Sequence, residues 1–413
     1  MFDTNHLPPS EALERILAAL PEGERTPVEA LPIAECYGRV LASDIISPED
    51  LPAFARSTVD GIAVVSADTF GAKETSPAYV SVKNEVLMGT APAFRIGRGE
   101  GARIPTGGML PDGADAVVML EHVQAVSDDM TEVMRPVAPY ENVIRKGEDV
   151  GKGGPVLAGG GRLRAQDIGA LAGLGITRIG VFRKPRVSII STGDEIVSAA
   201  SVLRYGQVRD INSYTLAGLI SDHGGIPLKR GIFRDDYRVI RDAIEEALHD
   251  SDMVLISGGT SAGAKDMAAG IIDDIGRPGV LFHGISLKPG KPMIGGVVSG
   301  KPVLGLPGHP AAVVVCFNSF IKPLIGRLGG MDPQKGLFPK TIKAKMAKGI
   351  ASAAGREDHI RVSLEEKRGE LLAVPVLGKS GLITTLVKAD GIVVIPRDKL
   401  GLDAGEGVEV GLF

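Results

Sequence analysis

DYRVIRDAIEEALHDSDMVLISGGTSAGAKD, residues 236 to 266, decides the architecture. Its first half is a strongly amphipathic helical pattern, and DMVLISGG after it is a short continuous apolar run of strand length. The run stops at three small residues, Ser257, Gly258 and Gly259, and the loop then carries Lys265 and Asp266. The same alternation extends outward. RVSIIST reads as a strand, NSYTLAGLISDHGG as a helix and IPLKRGIF as a strand. On the other side AAGIIDDIG is a helix, VLFHGISLKPGKPMIGGVV and KPVLGLPGHP hold strands and loops, and AAVVVCFNSFIKPLIGRL is a helix. Strands alternating with helices predict a mostly parallel sheet covered on both faces, a central three-layer α/β/α domain.

The flanks read differently. SEALERILAAL is a helix, with Ser10 as its cap and Pro21 as its stop. Residues 78 to 135 alternate short apolar runs with Gly, Pro and Asp turns and read as all-β. RAQDIGALAGLG is a helix with Gly175 past its end. Residues 335 to 413 return to short strands, which fits a small β-barrel or a sandwich.

The totals exclude several functions. At 413 residues the chain holds roughly two to four domains. Aromatics are 4% and Trp is absent, so aliphatic side chains must build the cores. A net charge of −4 with interspersed signs gives no footprint for nucleic acid. Of the two cysteines, Cys316 lies in an apolar run and reads as a core thiol, and neither has a partner at metal-ligand spacing. The first residues lack the pattern of a secretory signal, and no apolar run reads as long enough to span a bilayer, so the expected compartment is the cytoplasm.

The 55 glycines are the anomaly. Three Gly-rich loops follow central strands: IISTGDEIV (189 to 197), LISGGTSAGAKD (255 to 266) and VLGLPGHPAA (303 to 312). Ligands of open parallel sheets bind outside the carboxyl ends of the strands, and small residues let backbone N–H groups touch an oxyanion. Gly258, Gly259, Ser261, Pro307 and Gly308 are therefore candidate substrate-binding positions. Neither the Walker A spacing nor G-x-G-x-x-G occurs, which argues against a P-loop or a dinucleotide site. SLKPGKP (286 to 292) adds Lys288 and Lys291, flexible donors suited to an oxyanion or phosphate. The carboxylates Asp194, Glu195, Asp235 and Asp266 in the central domain, and Asp60 and Asp149 outside it, are the third element. Near phosphates such groups hold Mg²⁺, although Asp235 also reads as the cap of the helix that follows it. His309 is a lone histidine, with no Ser/His/Asp constellation around it.

LPAFARSTVDGIAV, RIPTGGMLPDGADAVVMLE, KGEDV, STGDEIV, GQVRDINSYTLAGLI, SGGTSAGAKD, LKPGKP and GLPGHPAAV occur in the order seen in the MoeA-type molybdopterin molybdenumtransferase family, relatives of the gephyrin and Cnx1 E domains. The resemblance covers nearly the whole chain. It implies insertion of molybdate into adenylylated molybdopterin with Mg²⁺-dependent release of AMP. It also implies a homodimer of four-domain subunits, with the active cleft between the α/β domain of one subunit and the turn-rich domain of the other, and transient contact with other cofactor-biosynthesis proteins. The expected division is residues 1–45 with 146–180 as an N-terminal linking domain, 46–145 as a mainly β domain, 181–330 as the α/β/α molybdopterin-binding domain and 335–413 as a C-terminal β-barrel. Carried over motif by motif, Asp60, Thr106 and Asp149 resemble the partner-subunit side of the cleft. Glu195, Asp235 and Asp266 resemble the acidic, metal-holding side. Lys288 and Lys291 resemble the oxyanion and pterin-phosphate lysines, and Arg356 and Ser380 fall where the C-terminal domain contributes to the substrate site. Two positions depart from the family pattern. Ile144, followed by Arg145 and Lys146, stands where many members have Arg, and His309 stands where Asn is common. The rival readings are a tungstate insertase, a pterin adenylyltransferase, or a non-catalytic scaffold. An adenylyltransferase needs neither flank, and a scaffold has no need of Asp60, Glu195, Asp266, Lys288 and Lys291 together.

Overall fold

The computed structural model describes residues 6–258, 262–335 and 340–413; the side chains of 262–266 are outside that description. A six-stranded sheet forms the centre, in the order Ile226–Phe233, Arg186–Thr192, Met253–Gly258, Lys301–Leu306, Ile294–Val298, Pro278–His283. The first four strands are mutually parallel, and Ile294–Val298 runs antiparallel to both of its neighbours. Successive strand residues point to opposite faces. Val187, Ile189, Met253 and Leu255 accordingly meet Leu216, Ile220, Val313 and Phe317 in one core. Ile190, Val254 and Ile256 meet Ile240, Ile244, Ile271 and Ile272 in the other. These two apolar cores make the three-layer α/β/α arrangement, as the alternating sequence pattern predicts.

The helix Tyr237–Asp250 buries Ile240, Ala243, Ile244 and Ala247 on one stripe. Asp236, not Asp235, caps it: the Asp236 carboxylate accepts the Arg238 amide at 2.9 Å and the Val239 amide at 3.0 Å. Only the extended residue just before the first turn can reach those two N–H groups, which leaves Asp235 free for another role. The N-terminal helix runs Pro9–Ala19 with no side-chain cap, so Ser10 is not the cap. Pro9 opens it instead, its fixed φ already helical and its missing N–H costing nothing there. Its Ala12 and Ile16 pack into the core of the α/β unit.

Pro310–Leu328, 19 residues at mean hydropathy 1.5, is long and apolar enough to cross a membrane, contrary to the expectation of no such run. Two-thirds of that stretch (67%) is buried against the sheet, so its apolarity is that of a core helix. Cys316 sits within it, and burial pushes its thiol pKa up. The helix widens to a π turn over Phe317–Ile321, just before Pro323 removes a backbone donor.

Two mainly β units flank the centre. One holds a six-stranded sheet with Gly61–Val64 and Glu100–Ile104 in its middle. The other is a closed five-stranded barrel: Glu357–Lys367, Glu370–Pro375, Thr341–Met346, Gly407–Leu412 and Gly391–Ile395 pair in turn, and the last pairs back to the first. Val28–Pro32 pairs with Arg178–Phe182 over a small core containing Cys36, Leu41, Leu171 and Val181. The joint that shapes the candidate site is Leu287–Lys288. This two-residue strand leaves the central unit and pairs in parallel with Glu357 and Asp358 of the barrel. The Glu357 amide donates to the Ser286 carbonyl at 2.9 Å across the same joint.

Candidate functional site

Three segments far apart in sequence close around a cavity of about 340 Å³: the turn Leu287–Pro292, the Pro307–Ala312 loop, and the barrel residues Arg356 and Ser380. Lys288, Lys291, Pro307, Arg356 and Ser380, all singled out in the sequence, line it together, and His309 joins them. The turn needs Gly290 at its centre. Its φ is +140°, and an added Cβ would lie 2.9 Å from Leu287 and 3.1 Å from the Cys316 sulfur.

One carboxylate organises the cations. Asp358, 1% exposed, accepts Arg356 Nε at 2.8 Å and Lys288 Nζ at 3.4 Å. Three cations against one carboxylate leave a formal surplus of two positive charges on a wall that also offers hydroxyl and imidazole groups. Ser380 is held from two sides. Its carbonyl accepts the Ala311 amide at 3.1 Å, and its hydroxyl meets His309 Nδ1 at 2.8 Å. Behind it, the buried Arg361 donates to the Gly378 carbonyl at 2.9 Å and braces the same loop.

Gly258 and Gly308 do not line the cavity; Gly308 lies between the lining residues Pro307 and His309, and Gly258 ends a neighbouring strand. Asn212 Nδ2 donates to Ser257 Oγ at 3.0 Å and to the Gly308 carbonyl at 2.9 Å, tying two strand-end loops together. Asp210 accepts the Ser191 hydroxyl at 2.8 Å and the Ser213 amide at 3.1 Å, which fixes the helix start beside them. Sequence reasoning missed Asp358, Asp210 and Asn212. The signal for Asp358 was an acid two residues after Arg356; the signal for the others was an Asp-x-Asn at the start of a helix. Gly259 and Ser261 lie outside the described residues, as does the side chain of Asp266.

The acidic residues form a second group. Asp194 Oδ1 accepts the Asp235 amide at 3.4 Å, and one oxygen of Asp235 is buried without a hydrogen-bond partner. Burial first, then the charges of Asp194 and Glu195, raise the pKa of Asp235 above the ordinary carboxylate value. Among the described residues no three His, Cys, Asp or Glu side chains form a ready-made metal cage. Asp60 accepts both the Thr106 amide, at 2.7 Å, and the Thr106 hydroxyl, at 3.1 Å. That pair is exposed on the N-terminal β unit; Asp149, whose amide donates to the Leu51 carbonyl at 3.1 Å, is exposed as well. None of the three lines the cavity built by this single chain.

The raised pKa of Asp235 has a consequence for stability. In the unfolded chain this acid ionises first, so its contribution turns unfavourable as pH rises from the ordinary carboxylate range to the raised value, and the deficit persists above it. Asp235→Asn is therefore expected to stabilise the fold at pH 7, with no gain at about pH 3, where both forms are mostly neutral. Thermal unfolding at the two pH values checks this; an equal gain at both would mean that charge is not the cause.

Three family models match in order along the chain: the MoeA N-terminal region (domain I and II) over residues 7–175, a probable molybdopterin binding domain over 188–327, and the MoeA C-terminal region (domain IV) over 343–413. A putative molybdopterin biosynthesis protein of Methanocaldococcus jannaschii is 36% identical over 398 residues, covering 94% of this chain and 93% of its own. A molybdopterin molybdenumtransferase of Nostoc is 33% identical over 378 residues, covering 90% and 86%. Among solved structures, a molybdopterin biosynthesis moeA protein of Pyrococcus horikoshii OT3 superposes with a TM-score of 0.85 at 34% identity, covering 99% of this chain and 100% of that one. With the sheet, the barrel and the cavity at their joint all lying within that full-length match, the chain belongs to the MoeA family.

Proposed function

We propose that this protein is a molybdopterin molybdenumtransferase, inserting molybdate into adenylylated molybdopterin with release of AMP. The observation that carries the reading is the cavity at the joint of the α/β unit and the barrel. Lys288, Lys291 and Arg356, offset by the single buried Asp358, leave two positive charges for a tetrahedral dianion. Lysine supplies point-charge donors and arginine a planar fork, the pair of geometries that a phosphate or a metal oxyanion accepts. The relatives that carry the activity in their names match over most of their length.

Three finer parts belong to the same proposal. Glu195 and Asp235, with Asp266, hold Mg²⁺. The fit rests on the raised pKa of Asp235 and its buried unpartnered oxygen, both of which a cation would relieve. When bound, the ion supplies charge neutralisation to substrate phosphate oxygens. The protein works as a homodimer, because Asp60, Thr106 and Asp149 sit on a different unit from the cavity and would reach a cleft as the partner's contribution. The four-way division of the chain read from its sequence is part of the same proposal, as is a reaction in the cytoplasm.

The test is turnover. Adenylylated molybdopterin is supplied with Mg²⁺ and either molybdate or tungstate, and AMP and metal-bound pterin are measured. AMP release that depends on Mg²⁺ and yields metal-bound pterin is expected; no AMP release under any condition would refute the assignment. Asp60→Ala is expected to keep the fold while losing at least about tenfold in AMP release, since the exposed carboxylate holds Thr106, another residue assigned to the partner's side of the cleft.

A further inference from the structure

We propose that His309 sets the direction of the Ser380 hydroxyl and thereby couples oxyanion binding in the cavity to the uptake of one proton. The proposal rests on the oxyanion reading above and deepens it. His309 Nδ1 and Ser380 Oγ are 2.8 Å apart, and both residues line the cavity. Backbone bonds hold both partners in place. The His309 carbonyl accepts the Ala312 amide at 3.0 Å and the Val313 amide at 3.1 Å, and the Ser380 carbonyl accepts the Ala311 amide at 3.1 Å. The ring also packs beside the barrel loop: a Cβ at Gly381 would lie 3.5 Å from His309 Cδ2, an ordinary contact distance.

A hydroxyl has one hydrogen to give, so the 2.8 Å contact has two opposite forms. With Nδ1 bare, Ser380 donates to the ring and turns only lone pairs towards the cavity, which repels an anion. With Nδ1 protonated, the ring donates to Ser380 Oγ, and the hydroxyl hydrogen is free to bond an oxygen of the anion. A bound dianion therefore selects a ring with its proton on Nδ1; of the two such forms the imidazolium carries a positive charge that the neutral Nδ1–H tautomer lacks, so the anion favours it and draws one proton from solvent if the ring was neutral. The charged groups sharing the cavity are Lys288, Lys291 and Arg356, with Asp358 beneath them. Lysine, arginine and aspartate as residue types ordinarily hold one charge state between pH 6 and 8.5. Among the described residues, imidazole is the one side chain lining this cavity of a type that ordinarily titrates in that window.

Calorimetric titration of the full-length protein with molybdate, and separately with sulfate, from pH 6 to 8.5 in two buffers of different ionisation heat, decides it. Wild-type affinity is expected to fall by about fivefold to tenfold across that range, with up to one proton taken up per anion. His309→Asn, whose amide N–H does not titrate, is expected to bind with no pH slope. Ser380→Ala is expected to bind more weakly and also without slope, and it decides the matter alone should His309→Asn fail to fold. A wild-type slope retained in Ser380→Ala would show that the ring acts by its charge alone, and a slope retained in His309→Asn would place the proton elsewhere; either result overturns the relay but leaves the oxyanion site. No binding of either anion by the wild type at any pH overturns the oxyanion reading, and the relay with it.

Discussion

Arg356→Ala weakens molybdate binding by about a hundredfold and lowers the unfolding midpoint as well. The first effect follows from the loss of a charged, forked donor from a cavity whose surplus is only two charges; one such group contributes roughly 2–4 kcal/mol, and each 1.4 kcal/mol is a tenfold change in affinity. The second follows from Asp358. That carboxylate is 1% exposed and takes its shortest bond, 2.8 Å, from Arg356 Nε. Without it, the longer contact to Lys288 at 3.4 Å is the one ion pair left to that buried charge among the described residues. An under-satisfied buried group costs about 1–3 kcal/mol. The two roles separate in a double variant. Arg356→Ala with Asp358→Asn removes the stranded charge, so stability should recover while anion binding stays lost. Isothermal titration with molybdate and thermal unfolding on the three variants read the two effects independently. Full affinity in Arg356→Ala would remove this arginine from the site; recovered affinity in the double variant would mean that Arg356 serves only to neutralise Asp358.

Features written in local patterns were legible in the sequence. The alternation of apolar strands and amphipathic helices between residues 181 and 330 gave the α/β/α layers, since burial on two faces leaves a signature in every few residues. Lys288, Lys291 and Pro307 could be placed because loops at the carboxyl ends of parallel strands face one side of a sheet. Arg356 and Ser380 came from family resemblance alone, because nothing local says that a barrel strand near residue 357 pairs with a two-residue strand near 287. Asp358 escaped for the same reason: its contact with Lys288 exists only once that joint forms. The confusion of Asp235 with Asp236 has a different origin. Adjacent acids before a helix look alike in sequence, and backbone direction at the first turn decides which caps the helix and which is left near Asp194 and Glu195.

Gly258→Ala is expected to be the most damaging single methyl group in the protein, costing about 3–5 kcal/mol or preventing folding outright. Gly258 ends the central strand Met253–Gly258 and pairs with Thr192 of the neighbouring parallel strand. Its φ is +116°, and an added Cβ would lie 1.9 Å from the Thr192 carbonyl oxygen and 3.0 Å from the carbonyl carbon. Those atoms are backbone in the middle of a sheet, so neither can swing away as a side-chain tip would. Relief requires pulling apart Arg186–Thr192 and Met253–Gly258, which carry Ile189, Ile190, Leu255 and Ile256 into both apolar cores. The same displacement would disturb Ser257, through which Asn212 ties the strand end to the Gly308 loop. Gly169→Ala is the matched control. It sits in the helix Ala165–Gly173 with nothing within 4 Å of the added atom, and should be neutral or stabilising by about 0.5–1 kcal/mol. Urea unfolding followed by far-ultraviolet circular dichroism suits a chain without tryptophan. A Gly258→Ala protein that unfolds at the wild-type midpoint would mean that the two strands do not approach as closely as the sheet requires, and that the Gly-rich strand end is small for its ligand alone.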